Sequence, residues 1–190
     1  SAVLSFNEIN PNIGGGRDLI ELIVTGAGST NGIQIQQKGS VVEILATLPD
    51  VTVAVGDLIV VHLTPVGAKG TAPGSETLAK NQYTNAMFSA NYDGAWDFHG
   101  AAIGLTFSNR VLEVVGPAGN IVEALPVVLS NVATPPAAYP GQLQTIQAAG
   151  LWLPIDCGGA LCTYASTPTA IAVGVDYLGC GNSPTTASIQ

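Results

Sequence analysis

The six residues Leu19–Val24, LIELIV, are apolar at every position but Glu21. A run this short and this apolar has no polar stripe for a helix to turn toward water. It reads instead as a strand buried on both faces, or nearly so. A second apolar run, Val3–Phe6, precedes it, and between the two lie Asn10-Pro11-Asn12 and the triple glycine Gly14-Gly15-Gly16. Glycine tolerates backbone conformations that other residues resist, so the intervening segment is read as a turn that brings the chain back on itself. The glycines precede a strand rather than a helix, which argues against a phosphate-binding loop. Glu8 and Glu21 are the acidic side chains nearest the two runs, and on neighbouring strands they are expected to face each other. A carboxylate pair has the composition for acid–base chemistry. The simpler expectation is structural: a hydrogen bond to the loop backbone, or pairing with Arg17.

The rest of the chain repeats this texture of short apolar strands punctuated by turns. Ile33-Gln34-Ile35-Gln36 alternates, with Ile33 and Ile35 expected inward. Gly39-Ser40 turns into Val41–Leu45. Val51, Val53 and Val55 alternate with Thr52 and Ala54, and Gly56-Asp57 leads into Leu58–Leu63, LIVVHL, the most strand-like hexamer present. His62 within it is expected to be a half-buried strand residue rather than a base. Thr64–Asn85 is rich in glycine and proline, with a short helix expected over Ser75–Tyr83, Ser75 as N-cap and Glu76 in the first turn. The clearest hairpin joins Arg110–Val115 to Ile121–Leu125 through Gly116-Pro-Ala-Gly-Asn120, residues suited to a multi-residue loop. Glu113 and Glu123, one on each arm, are expected on the solvent face, offset because like charges directly opposite destabilise a sheet. Leu129–Gly150, carrying Pro135, Pro136 and Pro140, reads as a loop. Leu151–Ile155, Ile171–Val175 and Ala187–Gln190 read as strand-like pieces. Many short strands with Gly/Pro turns and no sustained helical period predict an all-β sandwich, and 190 residues suffice for one domain with a real core.

Charge narrows the function classes. Charged residues make up 9% of the chain, against about 25% in an ordinary soluble protein, and the mean hydropathy is +0.40. No apolar run reaches the roughly 18 residues of a membrane helix, so membrane insertion is not expected. A water-borne chain with so little surface charge is expected to have much of its outside covered by copies of itself or by partners. The net charge is −8 with five cations: Arg17, Lys38, Lys69, Lys80 and Arg110. They form no basic patch, which argues against nucleic acid and against an anionic membrane surface.

Three cysteines, Cys157, Cys162 and Cys180, lie among glycines in the last third. They are disulfide candidates: Cys157 with Cys162, or either with Cys180, leaving one thiol over, or all three reduced. Zinc is disfavoured because the spacing lacks a second pair and neither histidine is near in sequence. A disulfide would place the protein in an oxidising compartment. Ser1 at the start, in place of methionine, suits an end left by signal-peptide removal or a cut within a longer protein.

The order of segments resembles the bacterial lamin-tail domains, immunoglobulin-like β-sandwiches of secreted and surface proteins. The likeness is carried by Phe6-Asn7-Glu8-Ile9, the Pro/Gly loop, Asp18-Leu19-Ile20-Glu21-Leu22, Gly32-Ile33-Gln34-Ile35, Val55-Gly56-Asp57-Leu58-Ile59-Val60-Val61, the Gly119-Asn120 hairpin, and Ala187-Ser188-Ile189-Gln190. The Gly-Trp-x-Leu pattern common in that family is replaced here by Gly32-Ile33-Gln34, and Glu123 stands where Asp is frequent. The resemblance implies a single immunoglobulin-like sandwich over 1–190, with 129–183 as a loop-rich decoration, and a module that is usually non-catalytic.

No Gly-x-Ser-x-Gly, His-Glu-x-x-His or phosphate-cradling motif is present. The densest functional candidate is Asn91-Tyr92-Asp93-Gly94-Ala95-Trp96-Asp97-Phe98-His99. Asn91, Asp93 and Asp97 could offer oxygen ligands to calcium, although the spacing completes no EF-hand loop, and a surface loop plugged by Trp96 and Phe98 is favoured. Otherwise no cofactor is expected. The expected function is a secreted, extracellular or cell-surface structural protein, a self-assembling homopolymer subunit of a fibre, sheath or surface layer. An end strand, β-paired to a neighbouring copy, would supply the contact. The alternative is an adhesion module recognising a glycan or protein through Tyr92 and Trp96.

Overall fold

Two faces of one strand divide the molecule. The computed structural model describes residues 1–10, 18–63, 94–105, 109–128, 137–152 and 175–176. In β2 (Leu19–Gly26), Ile20, Leu22 and Val24 point into the main core, while Leu19 on the opposite face joins a small cluster with Val60 and Ala95. The strand is therefore buried on both sides, as its composition requires. Each fully buried aliphatic side chain of this kind contributes about 1.5–3 kcal/mol.

The fold is an all-β, two-sheet sandwich of immunoglobulin-like character. One sheet runs β1 (Val3–Asn10), β2, β7 (Leu58–His62), β8 (Trp96–His99). The other runs β11 (Val175–Asp176), β10 (Ile121–Val128), β9 (Arg110–Val115), β4 (Gln34–Lys38), β5 (Val42–Thr47). A short pair, β3 (Gly28–Ser29) and β6 (Thr52–Val53), closes one end. Most neighbours are antiparallel; β7 with β8 and β10 with β11 are parallel. Inward side chains of both sheets, among them Leu4, Ile20, Ile59, Phe98, Ile35, Leu112 and Val114, form one core, as aligned sandwich packing demands.

The β9–β10 hairpin lies where the turn residues place it, with the Gly116 N–H donating to the Asn120 carbonyl at 2.8 Å. Ile33 and Ile35 are buried as expected, and the inward row continues to Gln37, whose amide donates to Glu43 at 2.8 Å and to the Gly104 carbonyl at 3.1 Å.

Two expectations are corrected. Within the segment read as a loop, α1 spans Tyr139–Ala148. Pro140 sits in the first turn, where no backbone donor is needed. Tyr139, Leu143 and Ile146 recur at helical spacing and pack against Val111 and Ala124 on the outer face of β9 and β10. The helix ends on Gly150 at φ +74°; Gly150 N–H reaches the Gln147 carbonyl and Leu151 N–H the Ile146 carbonyl, the bond pair of a Schellman end. Leu151, half-buried, packs against the same cluster. Leu151 and Trp152 are consequently not strand. Second, Glu113 does not face solvent. It is fully buried and pairs with Lys38, Nζ to Oε2 2.6 Å. Glu113 sits opposite Ala124 while Glu123 sits opposite Val114, so the two glutamates are offset as expected, on opposite faces of the sheet.

The expected helix over Ser75–Tyr83, the strand at Ala187–Gln190, the triple glycine and Arg17 lie outside the described residues.

Candidate functional site

Register builds a polar surface on the outer face of the β1–β8 sheet. Asn10 lies opposite Leu19, Leu19 opposite His62, and His62 beside His99. One row over, Glu8 lies opposite Glu21, Glu21 opposite Val60, and Val60 beside Asp97. Residues in direct register share a face, so both histidines of the chain and three carboxylates are gathered on one side of four strands.

On this face His62 Nε2 lies 2.8 Å from Asp97 Oδ1, with both side chains buried. A carboxylate that fixes an imidazole is one part of general acid–base machinery. It is equally a clamp between two parallel strands, and the burial of both partners favours the clamp. His62 is thus more deeply buried than expected for a half-exposed strand residue. Sequence spacing alone could not join His62 to Asp97, since the two are brought together by parallel pairing of β7 and β8.

Glu8 and Glu21 do face each other. Glu21 accepts a hydrogen bond from the Asn7 amide; the glycine loop and Arg17, the partners expected for Glu8 or Glu21, lie outside the described residues. Burial holds the Glu21 carboxyl above the usual glutamate range; the Asn7 hydrogen bond opposes this, and the neighbouring Glu8 charge adds to it. The raised value means that the folded state favours protonated Glu21. That contribution is complete below the ordinary value of 4.5 and is lost as pH rises through the folded-state value. Urea unfolding of wild type and Glu21→Gln should therefore show wild type losing stability relative to the variant as pH rises from 4.5 toward neutrality. A difference constant across that window would exclude Glu21 as its source.

Asp18 is a buried carboxylate that sequence reasoning missed. Its Oδ2 accepts from the Leu105 N–H at 2.7 Å, and its carbonyl accepts from the Leu63 N–H at 2.9 Å. It fastens the segment after β8 to the start of β2. Only its place beside the apolar run hinted at such a role.

Of the calcium candidates, Asp97 faces His62, while Asn91 and Asp93 lie outside the described residues, as does Tyr92. Among the described residues no group of three or more His, Cys, Asp or Glu side chains is arranged to hold a metal ion. Trp96 is half-buried against the main core, and its indole N–H donates to Asp57 Oδ2 at 3.0 Å. Cys157, Cys162 and Cys180 lie outside the described residues. Among those described, no helix is long and apolar enough to cross a membrane.

A different surface is exposed. β5 is the terminal strand of its sheet, paired with β4 on one side. Val41, just before it, and Val42 and Ile44 within it are 63%, 57% and 44% exposed. Glu43, between the last two, is half-buried and turned toward Gln37. The strand carries no lysine and no proline, although a bulge interrupts its pairing with β4 at Leu45, whose carbonyl accepts from the Ala101 N–H at 2.7 Å.

These features define a β-sandwich module with a buried polar face and a terminal strand that exposes aliphatic side chains. Residues 2–170 match a family described as a protein second domain, and the chain belongs to that family. Comparison with curated proteins finds no match.

Proposed function

We propose that this chain is a non-catalytic structural module, secreted or displayed at the cell surface, whose copies associate through the edge of β5. The observation that carries the reading is the exposed pair Val42 and Ile44, preceded by exposed Val41, on the terminal strand β5. The low fraction of charged residues supports it, because few charged groups must lose water when two copies meet. The lamin-tail resemblance supports the extracellular, non-catalytic part, resting on the sequence pattern together with the two-sheet sandwich. The family description supports a further part: the chain acts as the second domain of a longer polypeptide.

The assembly strand proposed here is β5 and not β1. Strand β1 also ends its sheet, but among large apolar side chains it exposes Val3 alone where β5 exposes Val42 and Ile44, and its Leu4 and Ile9 lie in the core. Deleting Ser1–Phe6 would empty that core, so loss of assembly after such a deletion would carry no information. Adhesion through Tyr92 and Trp96 draws no support from Trp96, whose ring and N–H are both engaged within the fold.

The test is a pair of charges on the edge. Val42→Lys with Ile44→Lys should leave the fold intact, since exposed substitutions cost within about 0.5 kcal/mol each. Light scattering after size exclusion, with electron microscopy, should show oligomers or filaments for wild type and monomer for the variant. A wild type that stays monomeric at high concentration overturns the proposal.

A further inference from the structure

We propose that Asn31 is a site of spontaneous covalent modification, at which the folded chain exchanges a side-chain amide for a carboxylate through a succinimide formed with Gly32. The dipeptide Asn-Gly occurs once in the chain, at Asn31-Gly32. It lies in the turn that joins β3 to β4.

The turn fixes both neighbours of this pair and leaves its reacting groups accessible. Thr30 is buried; its N–H donates to the Val51 carbonyl at 2.9 Å and its hydroxyl to the Pro49 carbonyl at 2.5 Å. Ile33 is buried too, and its N–H donates to the Thr30 carbonyl at 3.1 Å, closing the turn. Asn31, between them, is exposed. Its backbone N–H reaches Ser29 Oγ at 3.0 Å, while its side-chain amide has no hydrogen-bond partner among the described residues. Gly32 takes φ +72°, a conformation that glycine adopts without strain. It has no Cβ to obstruct the approach of the Asn31 carboxamide to its nitrogen. The bond that restrains this nitrogen, from Gly32 N–H to the Leu48 carbonyl, is 3.3 Å, against 2.8 Å for the bond from Leu48 N–H to the Ile33 carbonyl. The nucleophile is thus the more weakly held of the two donors.

The chemistry needs only water. Hydroxide removes the Gly32 amide proton, and the nitrogen attacks Cγ of Asn31. The N–Cγ bond forms, the Cγ–Nδ2 bond breaks, and Nδ2 leaves as ammonia with a proton from water. Water then opens the ring at one of its two carbonyls. Cleavage of the new N–Cγ bond yields aspartate. Cleavage of the original peptide bond yields isoaspartate, whose main chain runs through the side-chain carbons and is longer by a methylene. Nothing is oxidised or reduced. Isoaspartate cannot keep both the Ile33–Thr30 bond and the Gly32–Leu48 bond, so the edit adds a negative charge and loosens the contact between this turn and the segment after β5.

The other described asparagines are placed differently. The Asn7 amide is engaged with Glu21. Asn10 precedes Pro11, whose nitrogen carries no proton to lose. Asn109 is buried. Asn120 is exposed, but Ile121 follows it, and a β-branched side chain crowds the attacking nitrogen.

The experiment ages the folded protein in mildly alkaline buffer, as wild type, Asn31→Gln and Asn31→Asp, beside wild type unfolded in urea. Asn31 is exposed, so both variants are expected to fold, as unchanged circular dichroism would verify. Peptide mass mapping reads the site, isoelectric focusing the charge, and enzymatic methylation the isoaspartate. Folded wild type should gain an acidic species that focuses with Asn31→Asp, with isoaspartate in the peptide that holds residue 31 and ammonia released mole for mole. Conversion should be on the order of tenfold or more faster at Asn31 than at Asn120, where a β-branched residue follows. Asn31→Gln, which would have to close a larger ring, should lose the acidic species. Ageing continues until the urea-unfolded sample has converted. An Asn31 still intact in the folded protein at that point overturns the proposal, and so does an acidic species that persists in Asn31→Gln.

Discussion

Lys38→Met should destabilise the protein by about 3 kcal/mol, because it leaves the Glu113 carboxylate buried without its cation. Glu113 is fully buried on the outer face of β9, the face that α1 covers, and Lys38 Nζ lies 2.6 Å from its Oε2. Removing one member of a buried pair typically costs about 3–5 kcal/mol. The lower end applies here because the Lys38 side chain keeps 20% of its surface in solvent, which weakens the attraction being lost. The opposite deletion should be milder. Glu113→Gln buries a neutral amide, and Lys38 can turn its ammonium toward water.

The double variant Lys38→Met, Glu113→Leu should recover most of the loss. Two apolar side chains there extend the cluster of Val111, Ala124 and Leu143, and a buried pair replaced by well-packed apolar groups is often neutral or stabilising. Urea unfolding of the four proteins closes the cycle. A cost below about 1 kcal/mol for Lys38→Met would mean that Glu113 reaches solvent or protonates without penalty, and that the ion pair does not hold this face.

The sheets were legible in the sequence because strand burial is local information. Leu19–Val24 and Leu58–Leu63 are too apolar to be anything but interior strands, and Gly116–Asn120 announces its hairpin. The outer faces were not legible, because what covers them comes from distant parts of the chain. Two corrections have one cause here. In β9, Val111, Glu113 and Val115 share a face, and in a sandwich that face is normally wet, so Glu113 was expected in solvent. Helix α1 covers it, and α1 was hidden by Pro140 and Gly141, which read as loop residues but occupy the first turn. The signal available was the spacing of Tyr139, Leu143 and Ile146 ahead of Gly150. His62 and Asp97 illustrate the same limit in the other sheet: each looked like an ordinary strand or loop residue, and only the parallel pairing of β7 with β8 unites them.

If one helix both buries Glu113 and completes the outer layer, its anchor should be energetically coupled to the ion pair. Tyr139 is that anchor: it is 1% exposed, among the largest fully buried side chains, and its hydroxyl donates to the Val127 carbonyl at 3.3 Å. Burial pushes its phenol well above the usual range, so it remains a donor at any working pH. Tyr139→Phe removes one long hydrogen bond and should cost about 1 kcal/mol. Tyr139→Ala removes the ring and should cost about 3–5 kcal/mol, with loss of the near-ultraviolet dichroism that a packed aromatic gives. With α1 undocked, water reaches Glu113, and the penalty for stripping its cation falls. Lys38→Met should therefore cost about 3 kcal/mol in wild type but less than half as much in Tyr139→Ala, a departure from additivity above the few tenths expected of independent sites. Additive costs would show that Glu113 stays buried without the helix, and that the sandwich alone, not α1, sets the environment of the pair.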